Sequence, residues 1–162
     1  NLDVSAETAP KYEWAYNGDE SIAAVYGRLY TWYAVTDSRN ICPEGWHVPS
    51  FAEFEILINY LGGYDKTSTA DKLREVGTTH WKSTFPGTNN SSGFTALPSG
   101  TRTEKGVFNL LGTAGGIIST DEYPYDNSKG MGGLFLGSNL NYLIRGGLEK
   151  KGGHAVRCVK DK

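Results

Sequence analysis

The strongest periodicity in the chain lies at Phe51, Phe54, Leu57, Ile58 and Leu61, apolar positions three and four residues apart. Side chains so spaced share one helix face. Ser50 and Glu53 frame the start as a capping box, in which the serine hydroxyl takes a free backbone N–H and the glutamate reaches back. Gly62-Gly63 supply a left-handed stop. The pattern predicts a helix over 51–61. A shorter helix is expected over 69–76, where Leu73 and Val76 share a face.

Elsewhere the pattern is that of short strands. Residues 12–16 alternate, and Asn17-Gly18 is the preferred two-residue hairpin turn, so a strand and hairpin are expected there. The aromatic-rich stretch 29–35 reads as the start of a strand. It runs into a short helix through 37–41, which Pro43 ends. After Trp81 the chain turns loop-like at Pro86-Gly87 and through 89–93. A short strand is expected over 94–98. The stretch from Gly112 to Gly153 holds 11 of the 21 glycines, a density that disfavours helices and suits strands and tight turns. Leu140, Tyr142 and Ile144 alternate with Asn139, Asn141, Leu143 and Arg145, and 154–159 alternates as a C-terminal strand. There is no tandem repeat. Two early helices followed by short strands and loops predict an α+β fold, with 1–11 a polar leader and 12–162 one domain.

Composition narrows the function classes. A chain of 162 residues buries roughly 70% of its unfolded surface, enough for one real core. At 38% apolar and 12% aromatic it is no disordered tail. No apolar run approaches the roughly 20 residues that span a bilayer, so no transmembrane segment is expected. Net charge is −2, and the small clusters Lys150-Lys151 and Lys160-Asp161-Lys162 form no basic stripe; a nucleic-acid partner is not expected.

The two cysteines, Cys42 and Cys158, read as a disulfide, with two buried free thiols as the alternative. A bridge implies an oxidising compartment and hence export. Metal ligation would need more ligands at close spacing, and His47, His80 and His154 are isolated, without a paired-histidine motif. No cofactor and no metal are expected. Gly115-Gly116 and Gly130-Met131-Gly132-Gly133 lack the strand–turn–helix context of a phosphate cradle. The pairs Asp19-Glu20 and Asp121-Glu122 have the chemistry of an acid–base or calcium pair, but turn carboxylates are the commoner reading. The chain is expected not to be an enzyme.

Four stretches together carry a resemblance: 26–32 (Tyr-Gly-Arg-Leu-Tyr-Thr-Trp), 42–50 (Cys-Pro-Glu-Gly-Trp-His-Val-Pro-Ser), 90–98 (Asn-Ser-Ser-Gly-Phe-Thr-Ala-Leu-Pro) and 155–159 (Ala-Val-Arg-Cys-Val). In this order and register the chain resembles the Fibrobacter succinogenes major paralogous domain family, found in exported proteins and lipoproteins of Bacteroidetes and their relatives. The resemblance spans roughly 14–160. It implies a C-type-lectin-like fold with two helices, mostly antiparallel short strands and a ligand face in the loop-rich C-terminal half.

Two departures stand out. Ala15 and Ala23 occupy places where members often carry a further cysteine pair. Gly116-Ile117-Ile118-Ser119-Thr120 replaces a Trp-Trp-Ser-Ser-Thr pattern. Change concentrated between a family-like frame and a family-like end resembles the variable proteins of diversity-generating retroelements; ordinary family divergence is the alternative. Formylglycine-generating enzymes share the fold but use a cysteine pair in chemistry, whereas Cys42 and Cys158 sit in the frame. The Glu-Pro-Asn and Trp-Asn-Asp sugar–calcium motifs of lectins are missing.

The expected function is therefore an exported or cell-surface, adhesin-like ligand-binding module, secreted or lipid-anchored, with an unknown protein or glycan as partner. Its patch is expected to draw on Ile117, Ile118, Met131, Phe135, Ser138, Asn139, Tyr142, Leu143, Ile144, Arg145, Leu148 and His154. Apolar and aromatic residues in surface loops suit a contact surface. The alternatives are a structural unit of a surface assembly such as a pilus tip, or a glycan-active enzyme with converging carboxylates.

Overall fold

A computed structural model of the chain describes residues 2–64, 67–125, 130–140 and 142–162. The fold is α+β, as expected, but the described residues form four α-helices rather than two. Strand β1 (Glu13–Trp14) is followed by helix α1 (Glu20–Tyr26), strand β2 (Leu29–Tyr30) and helix α2 (Trp32–Val35). Strand β3 (Trp46–His47) leads to helices α3 (Phe51–Leu61) and α4 (Thr67–Leu73). Strands β4 (Ser99–Arg102), β5 (Phe108–Leu111), β6 (Ala114–Glu122), β7 (Met131–Gly137), β8 (Ile144–Arg145) and β9 (Val159–Lys160) complete the chain.

Helix α3 has the predicted bounds and the full capping box: Ser50 Oγ accepts from the Glu53 N–H at 3.2 Å, and Glu53 accepts from the Ser50 N–H at 2.8 Å. Helix α4 starts and ends earlier than the expected 69–76 and leaves Val76 exposed. The hairpin expected at Asn17-Gly18 does not form. Both residues take positive φ in a 3-10 turn that feeds α1, and β1 pairs across that helix with β2. Helix α1 buries no residue fully, so no apolar stripe announced it. Its sequence signal is the cap, since the Asp19 side chain accepts from the Ser21 N–H at 2.8 Å. The short helix expected over 37–41 is instead α2, a few residues earlier. Asp37 forms a turn, bonded to Arg39 and paired with Lys11.

The main sheet has the order β5-β4-β6-β7-β8, parallel only between β4 and β6. The strand expected over 94–98 is reduced to a bridge at Ala96, and the strand proper is β4. Alternation over 139–145 yields only β8; Asn141 lies outside the described residues. The hairpin β6–β7 forms the centre and is covered on both faces. Phe54, Ile58, Leu61, Leu73 and Trp81 pack with Ile117, Leu134, Leu136 and Leu143 on one side. Val35, Val48 and the disulfide pack with Ile118 and Met131 on the other. The glycines of these strands allow this double cover. A Cβ on Gly132 would stand 2.7 Å from the Phe51 ring, so only glycine lets α3 seat this close.

The C-terminal segment stitches the layers together. Gly153 exchanges backbone bonds with Arg102, His154 with Tyr30, and Ala155 bridges Gly116 and Ile118. It becomes a strand only at β9, which pairs with β3. Cys42 and Cys158 form a disulfide across a separation of 116 residues. The stretch that reads as a leader packs against this frame. Val4 is fully buried and donates to the Glu104 carbonyl at 2.8 Å, and Arg102 donates to the Leu2 carbonyl while stacking on Trp14.

Candidate functional site

The twelve residues expected to form a contact patch divide by burial. Ile117, Ile118, Met131, Leu143 and His154 are buried and form core, which corrects the expectation that they meet a ligand. The reason is their place on or beside the central hairpin. A strand covered on both faces carries apolar residues in succession, so the run at Ile117-Ile118 marks double burial rather than exposure. His154 lies beside Gly116 within the sheet, and burial pushes its pKa down to about 4. Phe135, Ser138 and Leu148 are half-buried. Asn139, Tyr142, Ile144 and Arg145 are exposed, Tyr142 at 47% and Ile144 at 38%.

Around Arg145 the structure gathers residues that periodicity did not single out. The guanidinium lies 4.6 Å from the centre of the Tyr64 ring, in the turn after α3. It lies 5.3 Å from the centre of the Tyr125 ring, in the turn after β6. Tyr125 donates to Glu55 of α3 at 2.6 Å. Tyr123 and Tyr125 meet edge to face at 5.6 Å, and Phe51 packs edge-on against both. Gly146 closes the cluster, since a Cβ there would overlap the Tyr123 ring at 2.1 Å. The signal available in sequence was the density of tyrosine around Pro124, in Tyr123-Pro124-Tyr125.

A guanidinium stacked on aromatic faces is oriented by them while its N–H donors stay free. Arg145 makes no ion pair among the described residues, and its side chain is exposed. Burial, then the nearby Glu55, push the Tyr64 hydroxyl up to about 12, and hydrogen bonding to Glu55 raises Tyr125. Both rings are therefore neutral phenols across the physiological range. The site thus offers a donor fork and aromatic ring surface, with the Tyr64 hydroxyl buried and the Tyr125 hydroxyl bonded to Glu55.

The acidic pairs weighed as acid–base or calcium sites serve structure. Asp19 caps α1, and Glu20 pairs with Arg28 at 2.6 Å. Asp121 accepts from the Phe51 N–H at 2.6 Å, at the positive end of α3, and Glu122 pairs with Lys150. His47 stands between Glu53 at 3.0 Å and Asp161 at 2.6 Å, tying β3 to the start of α3 and to the chain end. His80 pairs with Glu75 at 2.7 Å. Among the described residues no three His, Cys, Asp or Glu side chains converge as metal ligands, and no helix is long and apolar enough to cross a membrane.

A family model described as the Fibrobacter succinogenes major domain matches residues 2–160. No curated protein and no solved structure matches the chain.

Proposed function

The chain belongs to the Fibrobacter succinogenes major domain family, and from that premise we propose that it is an exported ligand-binding module of the cell exterior. The observation that carries the reading is Arg145, exposed, without an ion-pair partner among the described residues, and in contact with the rings of Tyr64 and Tyr125. Tyrosine and arginine dominate binding hot spots because they combine large rigid surface with directed donors. Here a stable frame holds them, and Asn139, Tyr142 and Ile144 are further exposed residues of the same C-terminal segment. The ligand is a protein or glycan that offers acceptor oxygens to the guanidinium and an apolar face to the rings. The Cys42–Cys158 bridge supports an oxidising compartment. A C-type-lectin-like frame is part of this proposal, as is the absence of catalysis.

If the domain is a retroelement's variable protein, diversity belongs at exposed positions such as Asn139, Tyr142, Ile144 and Arg145. Ile117, Ile118, Met131 and Leu143 are excluded by packing. A reverse transcriptase gene and a near-copy of the coding 3′ end beside this gene would support that origin; variation spread evenly over the buried positions would remove it.

The test is binding to glycan and protein arrays by the chain and by Arg145→Ala. The variant should lose its hits by about tenfold or more, a change of about 1.4 kcal/mol, with its thermal midpoint nearly unchanged. Hits that survive unaltered in Arg145→Ala and Tyr142→Ala would place recognition elsewhere.

A further inference from the structure

A second surface on α3 is built unlike the rest of the exterior. Ile56 and Tyr60, four residues apart on the helix, are 70% and 87% exposed. A helix packed on a core by one face is expected to turn polar residues outward. Trp46 of β3 and Val159 of β9 are exposed beside them. Together these side chains edge a groove of about 690 Å³, with Leu57 and Phe94 in its lining. Single exposed apolar residues are ordinary, but four around one concavity mark a contact site.

The groove's charge is one-sided. Arg157, Lys160 and Lys162 line it, and none has a carboxylate within ion-pair distance among the described residues. Arg157 rests on the Phe94 ring at 5.0 Å. The one acidic side chain in the lining, Glu53, is already engaged by the Ser50 N–H and hydroxyl and by His47. On a chain of net charge −2, three cations at one apolar groove, without a carboxylate partner among the described residues, specify the sign of the occupant.

We propose that this groove docks a segment of a partner polypeptide that combines aliphatic or aromatic side chains with carboxylates. The apolar groups regain burial at roughly 25 cal/mol per Å², and the cationic rim selects acidic sequences and speeds encounter. Two other occupants fit less well. A second copy joined through a two-fold contact would bring this basic rim against itself. A membrane surface would favour apolar side chains on a protruding face, whereas these border a hollow. The surface is separate from the Arg145 site, and neither needs the other.

Panning a random peptide display library on the full chain, with the Ile56→Glu/Tyr60→Glu variant for counter-selection, tests this. Both replaced residues are exposed, so circular dichroism and the thermal midpoint should match the parent. Enriched peptides should combine apolar residues with an excess of Asp and Glu. Synthetic copies should bind the double variant, and separately Lys160→Glu/Lys162→Glu, at least about tenfold more weakly than the parent, a change of about 1.4 kcal/mol. No enrichment, neutral or basic winners, or winners indifferent to both variants would overturn the proposal. Concentration-dependent dimers lost in Ile56→Glu/Tyr60→Glu would overturn it in favour of self-association. Capture by phosphatidylglycerol vesicles that depends on the same residues would do so in favour of a lipid surface.

Discussion

Arg74 of the segment after α4 donates a hydrogen bond to the Gly137 carbonyl at 3.1 Å, at the end of β7, and the same guanidinium nitrogen donates to Leu140. The residue is 1% exposed and sits over the Trp81 and Phe85 rings, with Asp71 at 3.6 Å. A buried cation thus anchors the turn from which Tyr142 and Arg145 project. Replacing Arg74 by Leu leaves two carbonyls without their donor. We expect a loss of about 3 kcal/mol in urea unfolding. Exchange of amides 138–140 should rise as well. Unchanged stability and exchange would show that the anchor is dispensable.

The disulfide should be worth several kcal/mol. Cys42–Cys158 closes a loop spanning most of the chain, for which the loop-entropy model gives about 5 kcal/mol and typical measured values are about 2–4. Cys42→Ser/Cys158→Ser, or reduction of the parent, should lower the thermal midpoint strongly. The paired strands β3 and β9 should loosen first. A reduced protein as stable as the oxidised one would contradict this.

Acid should destabilise the domain through His154. Burial holds its folded pKa near 4 against 6.5 in the unfolded chain. Between those values the unfolded chain binds more protons, so this contribution is complete above pH 6.5 and fades as pH falls toward 4. The full span is roughly 3 kcal/mol. His47 acts in the opposite sense. Its bonds to Asp161, then Glu53, raise its pKa, so its contribution is present below 6.5 and lost as pH rises through the folded value. Unfolding measured from pH 4 to 8 should show a falling limb on the acid side that is absent in His154→Gln. A limb of equal slope in that variant would assign it to other groups.

Core and face should separate cleanly under mutation. Ile118→Ala removes a fully buried side chain between β6 and the α2–disulfide layer, and should cost about 2–4 kcal/mol. Ile144→Ala and Tyr142→Ala act on exposed side chains and should each stay within about 0.5–1 kcal/mol of the parent. Equal costs at Ile118 and Ile144 in denaturant titration would mean that the C-terminal face is core.

Local signals determined what local physics controls. The capping box and apolar spacing fixed α3 to its end residues. Glycine density excluded helices from the second half, and the two cysteines pointed to their bond. These features depend on neighbours within a turn or two, or on the only available partner. Only tertiary structure decided which apolar residues face water. Ile117 and Ile144 look alike in sequence, yet one lies in a hairpin covered on both faces and the other on the edge strand β8. Helix α1 escaped notice because it buries no full stripe, and the Asn17-Gly18 turn served a helix instead of a hairpin. The Arg145 site joins residues from around 64, 125 and 145, brought together by sheet order and by the close seating of Phe51 on Gly132. That assembly rests on contacts distant in sequence, so no local pattern could encode it.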